Sequence, residues 1–359
     1  MKKHFYSSTC VRISIGLIFL SCFMLICIAH ATKKSAIDAG GIADHLEKVK
    51  KELAPLNFQT APSFSESVRR YYKYYDLDID GIEHIFGTFS SKNKVFAAHV
   101  FKPKRTKGTV IALHGYFDHA GVWKHVIRNL LKHGYTVALY DQPGHGLSSG
   151  DRASIYDFSE YVSVLEDFLR ISHVNLSGPF HLVAHSMGCA IAVDYLLNVT
   201  QIPLDKIILI APLFHSVYWK LSRFGYALTG FINYSVPRIF QENSSDEEFL
   251  NFTKKDPLQA RHMPIKWFGA LVKWNNRVAG YKPSGIPIKI IQGTADTTVD
   301  WKYNLKFIKK KFNNTDISLI TNGGHQLINE SLPIRAETLN LIVDYIKGNK
   351  NKISLEILD

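Results

Sequence analysis

Between residues 82 and 346, short apolar runs alternate with longer segments whose apolar residues recur every three to four positions. The runs Thr109–Leu113, Thr136–Tyr140, Phe180–Ala184, Lys206–Ile210, Ile288–Gln292 and Ile317–Thr321 have the length and continuity of strands buried on both faces. Helical spacing marks Val122–Lys132, Phe158–Ile171, Lys302–Lys310 and Pro333–Ile346, with Gly134 as a stop signal after the first. Strands that alternate with helices predict an α/β fold: a mostly parallel sheet with helices on both faces. Ile82–Phe89 and Val95–Phe101, joined through Ser90-Ser91-Lys92-Asn93-Lys94, predict a hairpin and therefore an antiparallel edge.

Two stretches depart from this alternation. Residues 212–283 are rich in aromatics, among them Phe214, Trp219, Phe224, Trp267 and Trp274, and are predicted mostly helical. The insertion follows the C-terminal end of a strand, where it is placed to cover a site as a lid. Residues 32–80 open with an amphipathic helix, in which Ile42, Leu46, Val49 and Leu53 share one face with lysines opposite. Tyr71, Tyr72, Tyr74 and Tyr75 follow and are expected to be packing aromatics. Ahead of them, Lys2, Lys3 and Arg12 flank the 16-residue apolar stretch Ile13–Ile28, which ends in the A-x-A pattern Ala29-His30-Ala31. That stretch is short of the ~20 residues a spanning helix needs. The expected organisation is a cleaved signal peptide (1–31), an N-terminal extension (32–80), an α/β core (81–211 and 284–348) and a helical lid (212–283). Export to the periplasm or medium follows from cleavage, with an uncleaved membrane anchor as the alternative.

Composition narrows the classes. At 359 residues and 46% hydrophobic, the chain can bury a large core. Cys10, Cys22 and Cys27 lie in the leader, so the mature chain would keep only Cys189, which excludes an intrachain disulfide and suits a small buried packing residue. The net charge of +12 falls to +9 without Lys2, Lys3 and Arg12. The remaining lysines are scattered and no nucleic-acid-binding motif accompanies them, so peripheral contact with an anionic membrane is the one charged partnership expected. No zinc-ligand spacing is present, so no metal is expected, and the glycine-rich Asp141–Ser148 segment lacks the pattern of a phosphate loop. That segment is expected to be a structural turn.

The chemistry centres on Ala184-His185-Ser186-Met187-Gly188, which follows one predicted strand and precedes a helix start of small residues. A serine on such a sharp turn is held out of the sheet as a nucleophile elbow, and Ala184 replaces the usual first glycine. A serine hydroxyl needs a base, a group to orient the base, and donors for the oxyanion. His325 follows Gly323-Gly324 after the last strand, and Asp296 lies in Gly293–Val299 after the preceding one. The order Ser186, Asp296, His325 is that of an α/β-hydrolase triad. Asp300 is the local rival for the acid, but its position is explained by capping the next helix. In His114-Gly115-Tyr116-Phe117 the glycine lets the chain turn so that the Tyr116 N–H becomes an oxyanion donor, with the Met187 N–H as the second. His114 is expected to brace that loop.

These residues resemble the monoacylglycerol lipase and lysophospholipase branch of the α/β-hydrolases, a serine aminopeptidase S33-type hydrolase domain. The resemblance spans about Ile82 to Ile346. It rests on His114-Gly115, Asp141 through Ser148, Gly150 with Arg152 and Asp157, the elbow, Asp256-Pro257-Leu258, Gly293–Val299 and Gly324-His325. It implies an α/β-hydrolase fold with a lid over residues 212–283, and hydrolysis of monoacyl lipid esters through an acyl-enzyme without cofactor. Ser186 would be the nucleophile, Asp296 the orienter, His325 the base, and Tyr116 and Met187 the oxyanion donors. The alternatives are a transacylase, thioesterase or aminopeptidase of the same fold, or a noncatalytic binding protein on this scaffold. An aminopeptidase would need acidic groups for the substrate amine, and Glu242, Asp246, Glu247 and Glu248 are candidates that also suit a solvated helix start.

Overall fold

The computed structural model describes residues 39–59, 64–199 and 203–349; the expected signal peptide (1–31), with Cys10, Cys22 and Cys27, lies outside them. Among the described residues no helix is long and apolar enough to cross a membrane. The described residues from Gly41 to Asn349 form one compact unit.

The sheet has eight strands in the order β1-β2-β4-β3-β5-β6-β9-β10. These are β1 (Glu83–Ser91), β2 (Lys94–Lys102), β3 (Thr109–Leu113), β4 (Thr136–Tyr140), β5 (Phe180–His185), β6 (Lys206–Ile210), β9 (Ile288–Gly293) and β10 (Thr315–Ile320). β1 pairs antiparallel with β2, and β2 antiparallel with β4; all later pairs are parallel. The hairpin turn is tighter than the sequence suggests. Only Lys92 and Asn93 separate the strands, both with positive φ (45° and 62°), the backbone of the hairpin turn that matches strand twist.

Every residue of β3, β4 and β5 is buried, as continuous apolar runs require in a sheet covered twice. Successive side chains serve opposite cores. Ile111 and Leu113 join the layer that holds α4 (Ser159–Asn175) and α5 (Met187–Asn198). Val110 and Ala112 join the layer that holds α3 (Lys124–Lys132) and α10 (Leu332–Ile346). Each fully buried Ile or Leu contributes roughly 1.5–3 kcal/mol.

The stretch upstream of the hairpin belongs to the second layer. Helix α1 (Ala39–Glu52) buries Leu46 and Val49, and α2 (Glu66–Tyr75) buries Tyr71, Tyr72 and Tyr75. Between them Leu56 N–H donates to Thr88 O and Thr88 N–H donates to Ala54 O, both at 2.8 Å. The edge strand β1 is thereby covered rather than left open to another chain.

The insertion contains α6 (Trp219–Thr229), α7 (Glu247–Lys255) and α8 (Ile265–Ala279). It also holds an antiparallel pair that the sequence did not predict, β7 (Ser235–Pro237) with β8 (His262–Pro264). Three-residue strands that end in proline carry no alternation to recognise. Helix α8 is tied to the sheet layer by Arg277, which donates to Asp157 at 2.9 and 3.0 Å and to Asp194 at 3.1 Å. Trp267 Nε1–H also donates to Tyr161 Oη at 3.2 Å. Helix α9 (Trp301–Lys311) is N-capped by Asp300, whose carboxylate accepts from Tyr303 N–H at 3.2 Å, the capping role expected of it.

Candidate active site

Ser186 closes β5 and caps α5 with φ 52° and ψ −113°. Such a backbone costs an L-residue roughly 1–3 kcal/mol and persists only where neighbours enforce it. Gly188 is one enforcer: a Cβ there would lie 2.4 Å from the Leu113 carbonyl, so helix and strand could not approach as they do. Ala184, at the position usually held by glycine, is fully buried in the ladder between Leu113 and Leu209, which accommodates its methyl group. Cys189 is fully buried, and burial pushes its thiol pKa well up, as suits packing rather than reaction.

The turn delivers Ser186 to the two residues the sequence nominated. Ser186 Oγ lies 2.9 Å from His325 Nε2, and His325 Nδ1 lies 2.8 Å from Asp296 Oδ2. Asp296 Oδ2 also accepts from Gln292 Nε2 at 3.1 Å, while Oδ1 accepts from the N–H groups of Thr298 (2.8 Å) and Val299 (3.1 Å). Burial raises the Asp296 pKa, but the His325 charge and hydrogen bond and these N–H groups outweigh it and hold the carboxyl below its ordinary value. An acceptor-only carboxylate sets the Nδ1–H tautomer of His325, which leaves Nε2 as a base facing the serine hydroxyl.

The loop from His114 to Phe117 passes directly beside Ser186. A Cβ on Gly115 would lie 3.3 Å from Ser186 Cβ and 3.0 Å from His185 Nδ1. Among the described residues neither Tyr116 N–H nor Met187 N–H donates to a protein acceptor. Met187 opens α5, where unpaired N–H groups and the helix dipole both favour negative charge. His114 braces the loop as expected: Nδ1–H donates to Gly115 O at 2.8 Å and Nε2 accepts from Gln142 N–H at 2.8 Å. Tyr116 itself is clamped, its hydroxyl donating to Ala153 O at 2.7 Å and its ring stacked 3.6 Å from that of Trp267. The Asp141–Ser148 turn is structural: Asp141 accepts from Ala120 N–H (2.7 Å) and Leu147 N–H (2.8 Å).

Two buried groupings around the site carry no role in the sequence reading. In the first, His185 Nε2–H donates to His325 O at 3.0 Å, and its Nδ1 stands 3.7 Å from Asp118 Oδ2. Asp118 also accepts from Gln326 Nε2 at 3.3 Å. Burial raises the Asp118 pKa, yet His185, His114 and Gln326 bring it well below the usual carboxylate range. In the second, Asp256 Oδ2 lies 2.7 Å from His119 Nε2, and Oδ1 accepts from Tyr75 Oη at 2.6 Å and Leu258 N–H at 2.9 Å. The signals were adjacency for His185 and Gln326, which neighbour Ser186 and His325, and the unexplained Asp256-Pro257-Leu258 motif. Of the acidic residues weighed for an amine, Asp246 instead caps α7 through Phe249 N–H (3.0 Å) and pairs with Arg335 (3.2 Å).

Above Ser186 lies a cavity of about 730 Å³. Tyr226, Phe268 and Leu271 from α6 and α8 line it with Met263 and Ile265; Arg238, Gln241, Asn243 and Lys254 supply a polar portion. Among the described residues no group of three His, Cys, Asp or Glu is placed to hold a metal ion.

Comparison with known proteins bears on this site. The family model described as "Serine aminopeptidase, S33" matches residues 104–332. A monoglyceride lipase homolog of Monkeypox virus is 27% identical over 267 residues, 72% of this chain and 96% of that protein. Phospholipase YtpA of Bacillus subtilis is 22% identical over 209 residues, 56% of this chain and 80% of that protein. Among solved structures, a soluble variant of monoglyceride lipase from Saccharomyces cerevisiae, in complex with a substrate analog, superposes with a TM-score of 0.63 at 17% identity. That match covers 74% of this chain and 95% of the other.

Proposed function

Since this chain belongs to the serine aminopeptidase S33 family and has the α/β-hydrolase fold, we propose that it is a serine hydrolase of carboxylic esters of monoacyl lipids, a lysophospholipase or monoacylglycerol lipase. The observation that carries this reading is the aligned Ser186–His325–Asp296 relay, at 2.9 and 2.8 Å, beneath a largely apolar cavity. Ser186 Oγ adds to the ester carbonyl as His325 Nε2 takes its proton. The oxyanion receives hydrogen bonds from Tyr116 and Met187 N–H. Collapse breaks the C–O bond, and His325 returns the proton to the leaving alcohol. Water then attacks the acyl-serine by the same relay and releases the fatty acid.

The lipid substrate is supported by the names of the relatives and by the aromatic and aliphatic walls of the cavity. The insertion also supports a lid that meets a membrane. Leu221, Phe224 and Leu228 are exposed on α6 at helical spacing, Phe231 is exposed beyond them, and Lys220 and Arg223 lie on the same helix. The A-x-A site at Ala29-His30-Ala31 supports export after cleavage. The aminopeptidase alternative is disfavoured by the cavity lining. Among the described residues the one carboxylate that lines it, Asp118, is engaged by His185 and Gln326, and the other charged side chains there, Arg238 and Lys254, are cationic.

The test is labelling with a fluorophosphonate probe beside a lipid panel with product identification. Labelling at Ser186 that is absent from folded Ser186→Ala, with fatty acid released from monoacyl lipids, is expected. A folded wild-type protein that resists the probe would overturn the nucleophile assignment.

A further inference from the structure

The cavity holds a cation that the hydrolytic mechanism does not use. Arg238 follows β7 in the insertion, and its guanidinium carbon lies 4.3 Å from the ring centroids of both Phe117 and Phe240. Nη1 donates to two neutral acceptors, Gln259 Oε1 and Ala260 O. Among the described residues no carboxylate is within ion-pair distance of Arg238. Among the described residues its Nε and Nη2 N–H groups have no acceptor, and they keep access to solvent at the cavity that the residue lines.

The rings and the Nη1 bonds therefore hold the guanidinium and leave free its Nε–Nη2 edge, the fork that binds an oxyanion by two parallel hydrogen bonds. Phe117 follows Tyr116, so the guanidinium stands beside the loop that runs from His114 to Phe117 at the cavity wall. Lys254 borders the same cavity, and Arg261 stacks 5.1 Å from the Phe240 ring; neither has a carboxylate partner among the described residues. Burial pushes the Arg238 pKa down to about 10, so the group stays charged at neutral pH without an ion pair.

We propose that the Nε–Nη2 edge of Arg238 binds the phosphate of an anionic monoacyl lipid, which makes Arg238 the residue that selects acylglycerol phosphates over neutral monoacylglycerols. The acyl part of a fatty ester bears no charge, so an anion on such a substrate sits on the leaving alcohol. The apolar walls take the chain and the cationic portion takes the headgroup. This rests on the ester-hydrolase reading of Ser186.

The experiment compares kcat/KM of the full-length protein for a short-chain monoacylglycerol and its 3-phosphate, each below its micelle concentration. The readout is the ratio of the two, from which any general loss of activity cancels. Wild type is expected to favour the phosphate. Arg238→Gln should lower the ratio about 10- to 100-fold through KM, as for loss of a charged hydrogen bond. Arg238→Lys should recover only part of it, since a point charge replaces a fork. Glycerol 3-phosphate and inorganic phosphate are tested as competitors of p-nitrophenyl ester hydrolysis. Competition by inorganic phosphate as strong as that of glycerol 3-phosphate would overturn the headgroup assignment. A ratio unchanged in Arg238→Gln would overturn the selector role. If no ester is turned over, the hydrolase reading fails, and the anion site is then read by calorimetry of the acylglycerol phosphate on Ser186→Ala. Binding that Arg238→Gln abolishes supports the site, and equal binding to both proteins refutes it.

Discussion

Asp256→Asn tests whether the oxyanion loop is held by the insertion and the N-terminal helix together. In the folded protein His119 Nδ1 accepts from Gly121 N–H at 3.1 Å, so it is Nε2–H that donates to Asp256 Oδ2. The other carboxylate oxygen accepts from Tyr75 Oη and Leu258 N–H. An asparagine can keep its oxygen toward Tyr75 and Leu258, but its NH₂ then opposes the His119 N–H. The other tautomer of His119 moves the conflict to Gly121. One buried donor is unpaired either way, because His119 and Asp256 are both fully buried. The lost charged hydrogen bond and the orphaned donor together amount to about 2–4 kcal/mol. For a unit of this size that corresponds to a Tm decrease of roughly 3–6 °C. Urea unfolding of Asp256→Asn, Tyr75→Phe, His119→Gln and the double variants measures the couplings. Activity adds a second readout: His119 is three residues from Tyr116, so kcat should fall by roughly 10-fold or more, toward the ~10²–10³ of losing an oxyanion donor, with little change in KM. A stability loss below about 0.5 kcal/mol, or additive single and double variants, would refute the clasp.

Asp296→Asn keeps the shape of the relay but removes the acceptor that sets the His325 tautomer, so kcat on a p-nitrophenyl ester should fall by about 10³–10⁴-fold with the fold intact by circular dichroism. His99 is fully buried on β2, between Tyr71 Oη (3.1 Å) and His84 (2.9 Å), and burial pulls its pKa from 6.5 down to about 3. Between those values the unfolded chain binds the proton and the folded one does not. Its contribution is therefore complete above about pH 6.5 and is lost at up to ~1.4 kcal/mol per pH unit as the pH falls toward 3. Unfolding free energies measured from pH 7 to 4 should decline less steeply in His99→Phe, and parallel curves would show that this histidine is not the titrating group.

Much of the site was legible because its residues sit at strand ends, and strand ends are set by local pattern. The apolar runs placed β5, β9 and β10, and the residues following them are Ser186, Asp296 and His325. The glycine at 188 signalled a close approach of helix and strand, and the geometry places it against Leu113. Asp256, His119 and Tyr75 are far apart in sequence, and no period or spacing relates them; only packing of three elements brings them together. Arg238 lies in the insertion, predicted mostly helical, and its isolation from carboxylates among the described residues is a property of what surrounds it.

The sequence by itself therefore determined the α/β alternation, the elbow and the chain order of the relay, since hydrophobic period and turn chemistry act over a few residues. The tertiary structure decided the 2.9 and 2.8 Å contacts, the burial of Leu46, Val49, Tyr71, Tyr72 and Tyr75 against the sheet, and the mixed apolar and cationic cavity under the insertion. Those depend on which distant surfaces exclude water together, and that is settled only when the whole core closes.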